Sequence, residues 1–261
     1  MGWVPRKSRP PHLLKETIVP VAYLFDVDGT LTPSRQKMDP DFKEWFIDFA
    51  NNNHVGLVTG SDYPKTEEQV GTDVCHAVGR VFNCLGCDVW SKGKNIYTNP
   101  WQMPDELHWF LLEKLFESKY QQRAGNHIEQ RPGMVNFSVV GRDCTLDDRK
   151  KYNTWDNQNG ERIRIATEIN AKFDDLEAQV GGEISIDIFP KGMDKSQVID
   201  TLTDLDNYEL FYFGDRVDPT GNDFPIAQRI RHHSLGKVFE VNTWEDTWDI
   251  LCSLYDSDRI E

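Results

Sequence analysis

The sequence predicts an α/β protein, with a parallel-sheet core interrupted by an α+β insertion that carries its own antiparallel sheet. Three observations support this. Short apolar runs at 21–25, 55–60 and 210–215 give way to aspartate, threonine or glycine, as strands of a buried parallel sheet do. Strand and helix patterns alternate through the first hundred residues, the order of a sheet joined by crossover helices. Between about 99 and 192 two segments alternate apolar and polar residues, which marks antiparallel strands with one covered face.

The elements follow in order. Val21 to Phe25 reads as a buried strand running into Asp26-Val27-Asp28-Gly29-Thr30. Residues i and i+2 of extended chain face the same way, so Asp26 and Asp28 aim at one site at the strand's carboxyl end. Open α/β sheets bind ligands there. Two crowded carboxylates require a cation or a proton. Mg²⁺ takes one or two carboxylates together with phosphate oxygens, and an aspartate can itself become an aspartyl-phosphate. A solvated Asp-x-Asp-Gly turn is the plain alternative.

Residues 40–53 predict a helix with Phe42, Trp45, Phe46 and Phe49 on one stripe, ended by Asn51-Asn52-Asn53. A second buried strand spans 55–60, a short polar helix 64–70, and a further strand 78–82. Residues 104–120 predict a helix through Leu107, Phe110, Leu111, Leu115 and Phe116. Residues 134–139 alternate like a half-exposed antiparallel strand, and 158–178 form one charged helical stretch. Residues 183–188 place Ile184, Ile186 and Ile188 on one face, with Ser185 and Asp187 on the other. Helices are expected to cover the apolar face of this one-sided sheet. A third core strand ends in Gly214-Asp215, a fourth spans 237–241, and Thr243 caps a last helix containing Trp244, Trp248, Ile250 and Leu251. The expected division is a leader at 1–20, a core at 21–98 and 193–261, and a cap at 99–192.

Composition narrows the function classes. The net charge of −14 argues against general nucleic-acid binding, which needs a basic footprint. No 18-residue apolar run is present, so no membrane span is expected. The leader carries Arg6, Lys7, Arg9 and Lys15 among prolines and lacks the apolar stretch of a secretory signal. It reads as a poorly ordered tail. Five cysteines in 261 residues make no disulfide scaffold, and a reduced, cytoplasmic setting fits them. Cys84-Leu85-Gly86-Cys87 has C-x-x-C spacing, but no second pair completes a zinc site, and the two read as loop cysteines.

Three predicted strand ends share one chemistry: Asp26/Asp28, Thr59-Gly60-Ser61 and Gly214-Asp215. Thr59 and Ser61 offer hydroxyl and N–H donors to a phosphate. A helix beginning near Asp62 adds its N-terminal field. Lys195, at the start of the helix returning to the core, supplies a fixed positive charge. Asp215, with Asn222 and Asp223, completes an oxygen-rich metal site. Singly, each has an ordinary reading as a turn, a solvated lysine or a strand cap. Their order along the chain is harder to explain that way.

These segments resemble the four motifs of the haloacid dehalogenase (HAD) superfamily, and more narrowly the eukaryotic-type phosphomannomutases. The likeness runs from about residue 21 onward. It includes Gly60-Ser61-Asp62-Tyr63-x-Lys65, Gly133-Met134-Val135-Asn136-x-Ser138-x-x-Gly141-Arg142-x-Cys144-Thr145, and Ser185-x-Asp187-x-Phe189-Pro190-x-Gly192-x-Asp194-Lys195. It departs at Phe82 to Cys87, where the family usually has a Glu-Asn-Gly-like segment, and it is weak over 99–130.

The resemblance implies a Rossmann-like HAD core with an inserted α+β cap. It implies that Asp26 is the nucleophile and Asp28 the general acid/base. Mg²⁺ would be held by Asp26, the backbone of Asp28 and Asp215, and the transferring phosphoryl group by Ser61 and Lys195. Phosphoryl transfer depends on in-line positioning and charge neutralisation, which suits these residues. Arg35, Arg131, Arg142 and Arg149 match arginines that take the substrate's other phosphate, and arginine does so bidentately. Ser185 and Asp187 match positions that bind sugar hydroxyls. The implied activity interconverts mannose 6-phosphate and mannose 1-phosphate through a hexose 1,6-bisphosphate, which also serves as activator. The implied partner is a small hexose phosphate, with homodimerisation through the cap. A HAD sugar-phosphate phosphatase using the same aspartates, and a non-catalytic sugar-phosphate binder, remain alternatives.

Overall fold

The computed structural model describes residues 19–202, 204 and 207–257. The expected leader lies outside these residues, apart from its last two. The chain opens with β1 (Val21–Phe25), α1 (Pro40–Asn52), β2 (His54–Val58), α2 (Tyr63–Val70), α3 (Thr72–Ala77), β3 (Arg80–Asn83), β4 (Asp88–Ser91) and β5 (Lys94–Thr98). It continues through α4 (Asp105–Glu117), β6 (Ile128–Arg131), β7 (Met134–Phe137), α5 (Leu146–Asn159), α6 (Glu161–Lys172), β8 (Leu176–Gly181) and β9 (Ser185–Pro190). It closes with α7 (Gln197–Asp200), β10 (Glu209–Gly214), α8 (Phe224–His232), β11 (Gly236–Glu240) and α9 (Trp244–Ser257).

Among the described residues the strands form a seven-stranded sheet of order β11-β10-β1-β2-β3-β4-β5 and a four-stranded sheet of order β6-β7-β9-β8. Strands β11 to β3 are parallel, whereas β4 and β5 add antiparallel edges. The central strands β1 and β10 are nearly continuous apolar runs because both faces are buried, whereas the edge strand β11 has no buried residue. Tyr23, Phe25, Phe211 and Phe213 face α1 and α9, while Ala22, Leu24, Leu210 and Tyr212 join Ile226 and Ile230 of α8 on the other side. Phe25 stacks on Phe213 at 4.8 Å and meets Phe46 edge-on at 5.3 Å. Each such fully buried phenylalanine contributes about 1.5–3 kcal/mol. Asp39 caps α1 by accepting from the Asp41 and Phe42 amides.

The four-stranded cap sheet is antiparallel throughout. Val135, Phe137, Ile184, Ile186 and Ile188 pack against Leu107, Tyr152, Ile165 and Ile169 from α4, α5 and α6. The expected face assignment of Ile184 to Ile188 is therefore present.

Four sequence expectations change. Strand β7 is buried at all four positions rather than half-exposed, because its polar face looks onto the core instead of solvent. The stretch 158–178 is not one helix. Gly160, at φ +64°, ends α5 and starts α6, and residues from Leu176 pair as β8. Cys84 and Cys87 are fully buried, packed with Leu85, Met134 and Phe189 where cap meets core. Lys195 lies in the turn ahead of α7 and is completely buried, which removes the solvated-lysine reading.

Candidate active site

The carboxyl ends of β1, β2 and β10 and the polar face of the cap sheet enclose a cavity of about 380 Å³. Its core side presents Asp26, Asp28, Thr59, Ser61, Asp215 and Asn222. Its cap side presents Arg131, Asn136, Arg149, Ser185 and Asp187, and Arg35 reaches it from the loop after β1.

Asp26 immediately follows β1, and its amide continues the ladder by donating to Phe213 O at 2.9 Å. Lys195 Nζ donates to Asp26 Oδ1 at 2.5 Å and to Asp223 Oδ1 at 2.6 Å. Asp223 also accepts from the Tyr212 hydroxyl at 2.5 Å and from the Arg216 amide at 3.1 Å. Carboxylate oxygens of Asp26, Asp215 and Asp223 lie within 4.8 Å of one another. Two of these three carboxylates bind the one ammonium, and Asp215 stands beside them. Burial tends to lower the Lys195 pKa, but Asp223 and Asp26 outweigh it and keep the lysine charged. Burial raises Asp26 well above the usual carboxylate range, against the pull of Lys195 and with help from Asp223 and Asp215. Burial, then Asp223, pushes Asp215 up to about 7.

This donor set suits a hard divalent cation, which oxygen ligands hold and which relieves crowded negative charge. Gly29, at φ +82°, leaves room for the Asp215 carboxylate. A Cβ there would sit 2.5 Å from Asp215 Oδ2. The carboxylate of Asp28 is not one of the three. Its Oδ1 accepts from the Arg35 amide at 2.7 Å and from Gln69 Nε2 at 3.0 Å, and its Oδ2 takes no hydrogen bond among the described residues. Arg35 reaches this contact from a left-handed φ of 60°, a strained setting for a non-glycine residue.

In the loop after β2, Thr59 Oγ1 accepts from the Ser61 amide at 3.1 Å, so Thr59 shapes the loop. Asp62 caps α2 through the Lys65 amide. Ser61 is buried on the cavity wall.

The expected arginines cluster. Arg35, Arg131, Arg142 and Arg149 lie close enough to repel one another. Arg131 Nε donates to Glu129 Oε2 at 2.8 Å, and its Nη1 reaches across to Gly60 O at 2.9 Å. Glu129 also accepts from Lys65 Nζ at 2.8 Å, a second bond between cap and core. Although burial raises Glu129, Arg131 and Lys65 pull it down to about 2. Arg149 Nε donates to Glu183 at 3.2 Å. Arg142 differs from expectation in that it is not on the cavity wall. It stands behind Ser185, donating to Ser185 Oγ at 2.8 Å. Burial, followed by repulsion from Arg35 and Arg131, lowers Arg142 to about 10. Asn136 Nδ2 fixes Asp187 Oδ1 at 2.6 Å.

Comparison with known proteins gives the family and the fold. A profile described as "Eukaryotic phosphomannomutase" matches residues 42–257. The chain belongs to the eukaryotic phosphomannomutase family. It is similar to phosphomannomutase 1 of Mus musculus, 35% identical over 78% of this chain and 81% of the relative. It is also similar to the phosphomannomutase of Saccharomyces cerevisiae, 31% identical over 92% and 94% of the two chains. Among solved structures, a haloacid dehalogenase-like hydrolase from Bacteroides thetaiotaomicron shares the fold with a TM-score of 0.53 at 14% identity, over 85% of this chain and 95% of that one. An IMP-bound IMP-nucleotidase mutant of Plasmodium falciparum gives 0.60 at 15%, over 91% and 68%.

Sequence reasoning did not single out Glu129, Asn153, Arg162, Glu183, Tyr212 or Arg216 in this phosphomannomutase-family site. Glu129 gave little signal, because the short charged strand that carries it reads as a polar loop. Tyr212 gave no signal, because a tyrosine in an apolar strand reads as core.

Proposed function

We propose that this cavity interconverts mannose 6-phosphate and mannose 1-phosphate through a hexose 1,6-bisphosphate. The observation that supports it is one partly open cavity with the aspartate and hydroxyl groups on its core side and arginines on its cap side. A hexose phosphate with a group at each end fits such a pair of sites.

In this reading a carboxylate oxygen of Asp26 attacks the phosphorus of the bisphosphate. The bond from phosphorus to the sugar oxygen breaks, and Asp28 gives that oxygen a proton. That hexose monophosphate leaves as product, and a monophosphate carrying its phosphate at the other end takes its place. Its free hydroxyl attacks the Asp26 phosphate, Asp28 takes the hydroxyl proton, and the acyl-phosphate bond breaks, which regenerates the bisphosphate. The bisphosphate then turns around to present its other phosphate to Asp26. The Oδ1 contacts of Asp28 leave Oδ2 for this work. Lys195 orients Asp26 and balances charge as the phosphoryl group arrives, while Ser61 donates to its oxygens. Mg²⁺ held by Asp26, the Asp28 backbone and Asp215 would supply charge neutralisation. Asp223, bonded to Lys195, Tyr212 and Arg216, serves as the anchor of Lys195.

On the cap, Arg131, Arg149 and Arg35 receive the far phosphate, and Ser185, braced by Arg142, receives sugar hydroxyls with Asp187. The contacts of Arg131 with Gly60 and of Glu129 with Lys65 hold the cap against the core, which in this reading limits water at Asp26 and favours return of the phosphoryl group to sugar. The cap is also the proposed homodimer surface, since α4 leaves Trp109 and Phe116 exposed. No helix of the described residues is long and apolar enough to cross a membrane, and no disulfide forms among the cysteines. A reducing cytoplasmic setting suits both.

The test supplies Mg²⁺, mannose 1-phosphate and a trace of glucose 1,6-bisphosphate. Mannose 6-phosphate without free phosphate is expected. Dominant phosphate release would identify a phosphatase instead. Asp26→Asn should abolish either activity, and retained turnover would refute the nucleophile assignment.

A further inference from the structure

Among the residues lining the cavity, Glu183 runs against the local charge logic, because it places an anion in the wall of an anion site. We propose that Glu183 competes with the substrate's far phosphate for Arg149 and so sets how readily that phosphate is released. The inference rests on the mutase reading, in which Arg149 serves the far phosphate.

The acidic residues facing the arginines are held differently. Asp187 is buried and fixed by Asn136 Nδ2 at 2.6 Å. Glu129 is fixed from two sides, by Arg131 of the cap and Lys65 of the core. Among the described residues Glu183 has a single ion pair, with Arg149 Nε at 3.2 Å. Its side chain is 35% exposed, whereas that of Arg149 is 9% exposed. The guanidinium is therefore fixed and the carboxylate is the partner able to leave.

The backbone beneath Glu183 cannot follow it. Gly182 O accepts from Arg162 Nη1 at 2.9 Å and lies 3.5 Å from Arg216 Nη1. Arg162 is itself locked to buried Asp156 at 2.7 Å. Gly181 pairs with Ser185 in the ladder and abuts Asp187, so no larger residue fits there. The turn is clamped from cap and core, and exchange at Arg149 reduces to rotation of the Glu183 side chain.

Such exchange has a use in a mutase. The bisphosphate must leave its far site in every cycle to present its other end to Asp26. A phosphate held by buried arginines alone departs slowly. A tethered carboxylate that can replace it keeps the guanidinium neutralised throughout, which lowers affinity and speeds release.

The test is Glu183→Gln, which keeps size and removes the charge. Inorganic sulfate is titrated into the metal-free protein by calorimetry. The variant should bind sulfate about fivefold more tightly, the scale expected for removing a partly exposed ion pair. The gain should disappear in the double variant Glu183→Gln/Arg149→Ala. In turnover, both KM for mannose 1-phosphate and kcat should fall, as tighter binding slows release. A damaged fold would lose affinity, so it cannot mimic the gain. Unchanged or weaker sulfate binding overturns the inference, as does a gain that persists without Arg149. If sulfate binding tightens but the wild-type chain does not interconvert mannose phosphates, the competition stands and the mutase reading fails. If interconversion occurs and sulfate binding does not tighten, the mutase reading stands and the competition fails.

Discussion

Replacing Lys195 with methionine would test the electrostatic account of the catalytic centre. The side chain is fully buried and is shared between Asp26 at 2.5 Å and Asp223 at 2.6 Å. Methionine keeps most of the volume but removes the ammonium. Asp26, Asp215 and Asp223 would then face one another with no buried cation between them. Removing one partner of a buried ion pair typically costs about 3–5 kcal/mol, because the remaining charge stays desolvated. A domain's whole stability is about 5–15 kcal/mol, so the variant should lose about a fifth of it or more. The assay is urea unfolding of metal-free protein at pH 7.5. Repulsion between carboxylates has a second signature. Acids whose folded pKa is raised contribute stability at low pH and lose it as pH rises, so the deficit should shrink toward pH 5. It should also shrink when Mg²⁺ is added. A deficit under about 1 kcal/mol, or one that ignores both pH and Mg²⁺, would refute the reasoning.

Two more outcomes follow from the same charges. Asp215, raised to about 7, binds its proton more tightly in the folded chain than in the unfolded one. Its contribution is full below its ordinary value and is lost as pH rises through 7. This group alone should make metal-free protein about 1.4 kcal/mol more stable at pH 6 than at pH 8. Mg²⁺ competes with that proton, so it should raise the melting temperature more at pH 8, and equal shifts at both pH values would contradict this. Glu129, lowered from 4.5 to about 2, behaves in the opposite way. Its stabilisation is present above the unfolded value and fades as pH falls toward 2. Glu129→Gln should cost about 2 kcal/mol at neutral pH, and the gap to wild type should narrow below pH 4.5 in denaturant melts.

The legible parts of the sequence were those where burial leaves a periodic trace. Strands β1, β2 and β10 are apolar beyond their first residues because alternate residues feed two layers, and the acidic and hydroxyl residues follow their carboxyl ends. The Ser185/Asp187 face was equally readable, since Ile184, Ile186 and Ile188 fix its opposite. Strand β5 was not readable, as all five residues are exposed and no face pattern arises. Strand β6 hid for a different reason: Glu129 and Arg131 are spent on ion pairs, so it resembles a polar loop. The division between α5 and α6 rests on Gly160 alone, within a stretch whose charges mask the apolar period. Among site residues, spacing showed which side chains carry phosphate chemistry but not which neighbours restrain them. The place of Arg142 behind Ser185 depends on a contact across 43 residues.

The contact between Asp26 and Lys195 spans 169 residues of chain. Strand β1 lies between β2, which follows soon after it, and β10, which forms only once the whole cap segment has been made. During synthesis, then, the nucleophile emerges early and waits for both its neutralising partner and its second flanking strand. Contacts of such long separation slow folding. A nascent chain released before residue 209 would expose one bare edge of β1, with its aromatic side chains open to other chains. The interruption that gives the site its roof thus also makes the catalytic centre one of the last parts of the molecule to assemble.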